Sequence, residues 1–185
     1  MKKVGLSLII TVFNEQNAIS KFIESVLGQS KFPDEIIIVD GGSTDNTLSV
    51  ISNFILSKAE GQISNNKIKF KLLVKKGNRA VGRNKAIRNA KGEIILCSDA
   101  GCILDKNWIK NIIKPFEDET VDVVAGYYKG KSKNIFQKCL IPYVLVMEDK
   151  INKSEFLPAT RSMAFKKTIW KKIGGFDEKF SHNED

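Results

Sequence analysis

Histidine is nearly absent: the only one is His182, and no serine or cysteine stands in a nucleophile-elbow turn. That argues against acyl-transfer triads. The three cysteines, Cys97, Cys102 and Cys139, are odd in number and lack a CxxC spacing, which points to reduced thiols rather than disulfides or a zinc site. No GxGxxG follows the first apolar run and no GxxxxGK[ST] occurs anywhere, so dinucleotide oxidoreduction and P-loop chemistry lose their usual phosphate cradle. No apolar run reaches the length of a bilayer span. Lys2 and Lys3 precede an apolar run, but it passes into Asn14 and Glu15 without a small-residue cleavage site, so no signal peptide is read.

What is present begins with charge. The 185 residues carry a formal net charge of +9, a length that suits one α/β domain with a real core. Between Lys58 and Lys91 there are eleven Lys and Arg against one acid, Glu60, so this window holds the whole excess. A solvated face is the plain explanation of such a run. Attraction to the phosphates of a nucleotide, of anionic lipid or of nucleic acid is the functional one. Phe70 is the only aromatic in the window, which speaks against nucleic acid.

Three short apolar runs organise the rest. Ile94 to Cys97, inside GEIILCSDAGC, is too short for a helix and too uniformly apolar for a surface strand, so it reads as a central strand buried on both faces. Leu6 to Val12 and Glu35 to Val39 read the same way. The first ends in Asp99, the second in Phe13, Asn14 and Glu15, the third in Asp40, Gly41 and Gly42. In an open parallel sheet the carboxyl ends of the strands border the ligand crevice, so three such strands delivering polar groups at one end predict a shared ligand-facing edge. A turn or cap role for each acid is the bland alternative.

Apolar spacing predicts a helix over Gln16 to Gln29 and another from about Asp45 to Leu56, the latter capped by Ser43 or Thr44. Ser57 to Asn66 reads as a loop and Lys67 to Val74 as a more exposed strand. A short helix is predicted over Ala80 to Ala90, on which Arg79 and Arg83 stand one turn apart, able to present two cations to one anion. Beyond the central strand the pattern gives a helix from Trp108 to Phe116 and a strand over Val121 to Ala125. Ile135 to Met147, interrupted by Lys138 and Pro142, is read as a core or partner-facing helix, with a membrane-surface contact as the minor alternative. A strand over Phe156 to Phe165 and a helix over Lys166 to Ile173 complete the pattern. Strand, helix, strand, helix implies a parallel sheet with right-handed crossovers.

Carboxylates, amides and cations at a crevice are equipment for holding a nucleotide and a divalent metal. The stretches SLIITVFNE (Ser7 to Glu15), VDGGSTDNT (Val39 to Thr47), GRNKAIRNAKGEIILCSDAG (Gly82 to Gly101) and GGFDEKFSHNED (Gly174 to Asp185) resemble, in that order, the inverting glycosyltransferases of family two. The resemblance implies a GT-A-like fold, α/β with a mostly parallel twisted sheet flanked by helices. It also implies a nucleotide-sugar donor, a UDP-sugar foremost, and a Mg2+ or Mn2+ cofactor. On that analogy Thr11, Asn14 and Glu15 line the nucleoside pocket, Asp40 contacts the base and Arg83 lies near the nucleotide. Asp99 matches the first acid of the DxD signature and marks the ribose and metal region. Asp185 matches the acid of the ED motif, the general base.

Two departures accompany the likeness. Gly101 stands where the second DxD acid belongs and supplies no side-chain ligand, and the chain stops on the presumed base, which is expected of a single domain truncated at its C-terminus. The resemblance implies a saccharide or lipid-linked acceptor, a location in the cytoplasm or at the inner face of the membrane with peripheral membrane contact, and no nucleic-acid partner. A catalytically inactive basic module that binds nucleotides or anionic surfaces through Lys58 to Lys91 is the competing expectation. Nucleotidyl transfer ranks behind both, because FNEQNAI after the first strand is neither glycine-rich nor basic.

Overall fold

The computed structural model describes residues 4–57, 68–152 and 155–180. The loop read over Ser57 to Asn66, the first part of the basic window, His182 and Asp185 therefore lie wholly or almost wholly outside the described residues. One six-stranded sheet carries the fold: β1 (Leu6–Val12), β2 (Glu35–Asp40), β3 (Lys69–Val74), β4 (Ile94–Ser98), β5 (Val123–Ala125) and β6 (Ser162–Lys166), in spatial order β3-β2-β1-β4-β6-β5. The first four strands pair in parallel, while β6 runs antiparallel between β4 and β5. The sheet is thus mixed but mostly parallel, as the resemblance implies.

The central strands β1, β2 and β4 are almost wholly buried because both of their faces are covered. Leu8, Ile10, Ile36, Ile38, Ile94 and Leu96 point to one side, where they meet Phe22 and Ile23 of α1 (Ile19–Leu27), Ile51 of α2 (Thr47–Ser57) and Ile109 of α4 (Trp108–Ile113). Ile9, Ile37, Val39, Ile95 and Cys97 point to the other, against Ala86 and Ile87 of α3 (Arg79–Asn89) and Met163 and Phe165 of β6. Period-two alternation within each strand divides the core into these two layers. At the amino end a buried polar knot fixes register: Ser7 Oγ donates to Glu35 Oε1 at 2.6 Å and accepts from Gly92 N at 2.8 Å.

Several elements differ from the sequence reading. α1 begins at Ile19 rather than Gln16, because Glu15 C=O accepts from both Ala18 and Ile19 N–H in a turn that precedes the helix. The side chain that serves the start of α2 is Asp45, which accepts from Thr47 N at 2.9 Å, not Ser43 or Thr44. The strand read over Phe156 to Phe165 begins only at Ser162, in β6, and residues 156–161 are not strand. The core half of the reading for Ile135 to Met147 is overturned: α5 (Ile135–Val144) has no buried residue, with Ile135 81% and Tyr143 86% exposed. Composition records that a segment is apolar, whereas its burial depends on what lies beside it. No helix among the described residues is long and apolar enough to cross a membrane.

Candidate active site

The chain leaves β1 on one side to build β2 and β3, then returns to place β4 on β1's other side. Between β1 and β4 the order reverses, and at the carboxyl ends of those two strands a crevice opens by construction. Asn14 and Glu15 follow β1, and Asp99 follows β4.

Two loops zip together on one flank of this crevice. Asp40, fully buried at the end of β2, accepts from Gly42 N and Ser43 N through Oδ1 and from Ser43 Oγ through Oδ2, at 2.8, 2.8 and 2.6 Å. Gly42 has φ +100°, a left-handed conformation that a side chain would strain. Ser43 Oγ in turn accepts from Asn14 N at 2.9 Å, and Asn14 Oδ1 accepts from Thr44 N at 2.9 Å. Asn14 itself sits at φ 55°, a conformation its side chain tolerates better than most. Glu15 N donates to Thr47 Oγ1 at 2.8 Å. Asp40 thereby acts first on its own loop, and through Ser43 on the loop that holds Asn14 and Glu15.

Thr11, next to the last residue of β1, meets α3 at Gly82. A Cβ there would lie 2.7 Å from Thr11 Cγ2, so glycine is what lets the helix approach the strand. That approach sets Arg83, which is 5% exposed, with Nη2 3.7 Å from Asp99 Oδ1 and its guanidinium over the Phe176 ring at 5.6 Å. On Asp99's other side Arg161 Nε stands 3.7 Å from Oδ2, its guanidinium over the Tyr128 ring at 5.0 Å. Both pairs are ionic contacts rather than short hydrogen bonds, which leaves the carboxylate's lone pairs available. Glu15 belongs to the same field: burial, then the neighbouring Asp99, pushes its carboxyl above the ordinary range, and Arg79 opposes them. Burial and Asp99 likewise push the Cys102 thiol up.

The structure thus brings Thr11, Asn14, Glu15, Asp40, Arg83 and Asp99 to one edge, while Asp185 lies outside the described residues. Arg161 was not identified from the sequence, because it reaches the crevice from the start of the antiparallel β6, a strand whose position no local pattern shows. The basic window divides: Lys69 and Lys71 lie on the edge strand β3, where lysines discourage further pairing, and Arg83 is buried in the crevice.

The tail is held to the same edge. Asn84 on α3 donates through Nδ2 to Phe176 O at 2.8 Å and Glu178 Oε1 at 2.9 Å. Asn78, which caps α3 by accepting from Val81 N, donates through Nδ2 to the carbonyls of Glu178 and Phe180 at 2.8 and 2.9 Å. The segment that leads toward Asp185 is therefore tied, as far as Phe180, to the end of α3 nearest the crevice.

A family model described as Glycosyl transferase family 2 matches residues 7–172. Glycosyltransferase GlyG of Streptococcus pneumoniae is 29% identical over 123 residues, 66% of this chain and 38% of that protein. The poly-beta-1,6-N-acetyl-D-glucosamine synthase of Staphylococcus epidermidis is 28% identical over 131 residues, 70% of this chain and 30% of its own length. Among solved structures, the mannosyltransferase PcManGT of Pyrobaculum calidifontis in complex with GDP-Man and Mn2+ superposes with a TM-score of 0.73 at 21% identity, covering 100% of this chain and 50% of that one. S. aureus TarS 1-349 in complex with UDP-GlcNAc gives 0.69 at 20% identity, over 98% of this chain and 51% of that one. The matched region spans well under half of these curated relatives and about half of the solved chains. The fold they share is GT-A.

Proposed function

The chain belongs to glycosyl transferase family 2, and from that premise we propose that it serves transfer of a sugar from a nucleoside diphosphate sugar to a hydroxyl acceptor, with inversion at the anomeric carbon. The observation that carries the reading is Asp99 set between Arg83 and Arg161 at the switch point of the sheet. One carboxylate flanked by two guanidinium groups suits a diphosphate, which asks for cations on its oxygens and tolerates a bridging metal beside them.

In this reading Thr11, Asn14 and Glu15 line the nucleoside pocket. Asp40 serves the base by fixing the 41–43 loop. Arg83 and Arg161 neutralise the leaving diphosphate. UDP is the favoured nucleotide, on the likeness to the TarS complex. Among the described residues no group of three His, Cys, Asp or Glu is gathered to cage a cation. A small hard cation does not need one, since Mg2+ and comparable ions bind through one or two carboxylates and the substrate's own phosphates. Asp99 fits that requirement and is the residue that would hold Mg2+ or Mn2+. The ion would supply charge stabilisation of the departing diphosphate.

Chemistry then needs a base. The acceptor O–H gives its proton to the Asp185 carboxylate as its oxygen bonds to the anomeric carbon, and the bond from that carbon to the diphosphate breaks on the opposite face. The docking of 176–180 onto α3 supports this assignment.

Calorimetry with UDP and with GDP, each with and without Mn2+, tests the reading. UDP should bind, more tightly with Mn2+ and more tightly than GDP. A folded sample that binds neither nucleotide in any condition would overturn it.

A further inference from the structure

The helix α6 (Lys167–Ile173) stops at Gly174 and Gly175, whose φ of +86° and +92° are left-handed and turn the chain back toward α3. A Cβ on Gly175 would lie 2.8 Å from Asn84 Oδ1, so the turn closes directly onto that amide. Asn84 then holds both sides of the next residue, accepting from Phe176 N at 3.0 Å and donating to Phe176 O at 2.8 Å. The backbone of Phe176 is thereby registered against α3 at the residue next to Arg83.

Its side chain is placed as closely. The Phe176 ring meets Phe165 of β6 edge to face, with centroids 6.4 Å apart and planes at 69°. The Arg83 guanidinium lies over the same ring, 5.6 Å from its centroid. The Arg83 side chain is 6% exposed, and its Nη2 stands 3.7 Å from Asp99 Oδ1. An ion pair at that distance attracts a guanidinium without setting its plane. An aromatic face does set it, because a cation largely removed from water gains most when it is seated on the ring's negative face. Packing against Phe165 would be served by any apolar side chain, whereas the contact with Arg83 needs a ring.

We propose that Phe176 is a positioning residue for the donor site: its ring holds the Arg83 guanidinium in the pose that faces Asp99, so the grip on a diphosphate depends on the docked tail. The diphosphate half rests on the donor reading, and the hold on Arg83 rests on the geometry alone. The same contact ties the donor site to the segment that leads toward Asp185.

Phe176→Leu, which keeps an apolar side chain against Phe165 and removes the aromatic face, tests this beside Phe176→Tyr, which keeps that face. The readouts are the NMR signal of Arg83 Nε–H, identified by its loss in Arg83→Gln, and the affinities for UDP with Mn2+ and for uridine. In Phe176→Leu the Arg83 signal should move downfield as ring shielding is lost. UDP affinity should fall at least about threefold, the lower part of the range for a cation on a ring, while uridine, which has no phosphate, binds as it does to the parent. Phe176→Tyr should keep the parent's values in both. Two outcomes overturn the proposal: an Arg83 signal that Phe176→Leu does not move, or UDP and uridine affinities that stay in the parent's ratio. A parent that binds neither nucleotide, with the Arg83 signal still moved by Phe176→Leu, upholds the hold on Arg83 and sinks the donor reading instead.

Discussion

Trp170 Nε1 donates to Asn84 Oδ1 at 3.0 Å, and the same oxygen accepts from Phe176 N at 3.0 Å. With its two Nδ2 bonds, the buried Asn84 amide is saturated by groups that follow β6, so one side chain on α3 holds the tail in place. Asn84→Ala leaves an indole N–H and a peptide group without partners, at a cost of about 2–3 kcal/mol. The thermal midpoint should fall by roughly 5–10 °C for a chain of this size. Asn84→Asp keeps the acceptor for Trp170 but turns an oxygen toward Phe176 O and the Glu178 carboxylate, so it should be no more stable than the alanine variant at neutral pH. Circular-dichroism melts of the two variants check this. An aspartate variant as stable as the parent would refute the assigned geometry.

The parts of this fold that were legible in the sequence are those set by local pattern. Ile94 to Cys97 and Ile36 to Val39 are uniformly apolar because both faces are packed, and uniform runs between turn residues advertise that directly. The edge position of Asp99 followed from where its strand ends. Arg161 was not legible, since its place depends on β6 inserting antiparallel beside β4, a pairing between residues distant in the chain. The exposure of α5 was hidden for the converse reason: Phe136 and Tyr143 have the composition of a core helix, and only the placement of neighbouring elements shows that no described residue covers them. The strand end put Asp40 on the shared edge and the resemblance gave it the base contact, whereas its three loop bonds show that the same place serves the loop itself.

Gly82 tests how closely α3 must approach β1. A methyl group added there meets Thr11 Cγ2 at 2.7 Å, closer than van der Waals contact permits, so the helix must shift away from the strand. Overpacking of this kind costs about 1–3 kcal/mol. Because the neighbouring residue is Arg83, the shift should also weaken UDP binding. Gly82→Ala is therefore expected to lower both the melting midpoint and nucleotide affinity, whereas a change confined to stability would separate α3 packing from the site.

Glu15 gives a pH signature. Its carboxyl is raised above the ordinary value by burial first and by Asp99 second, so the folded chain holds this proton more tightly than the unfolded chain does. Stability from this group is therefore greatest in acid and is lost as pH rises from the unfolded value, about 4.3, through the raised folded one. Glu15→Gln removes that loss. The difference in melting midpoint between variant and parent should grow in the variant's favour across this window and level off above it, and a difference that does not vary with pH would contradict the cause assigned.

Asp99 and its two arginines make opposite demands on a diphosphate, and metal decides between them. With Mn2+ present the carboxylate is proposed to hold the ion, so Asp99→Asn should weaken UDP binding by about tenfold, the scale of one charge-assisted contact. With the metal chelated, the same carboxylate only repels phosphate and competes for Arg83 and Arg161. The variant should then bind UDP at least as well as the parent. Arg161→Ala removes a cation in either condition and should weaken binding in both. Calorimetry on the parent and two variants, with Mn2+ and with chelator, gives six measurements whose signs are fixed in advance. If Asp99→Asn weakens UDP equally in both conditions, the carboxylate touches the nucleotide directly rather than through an ion.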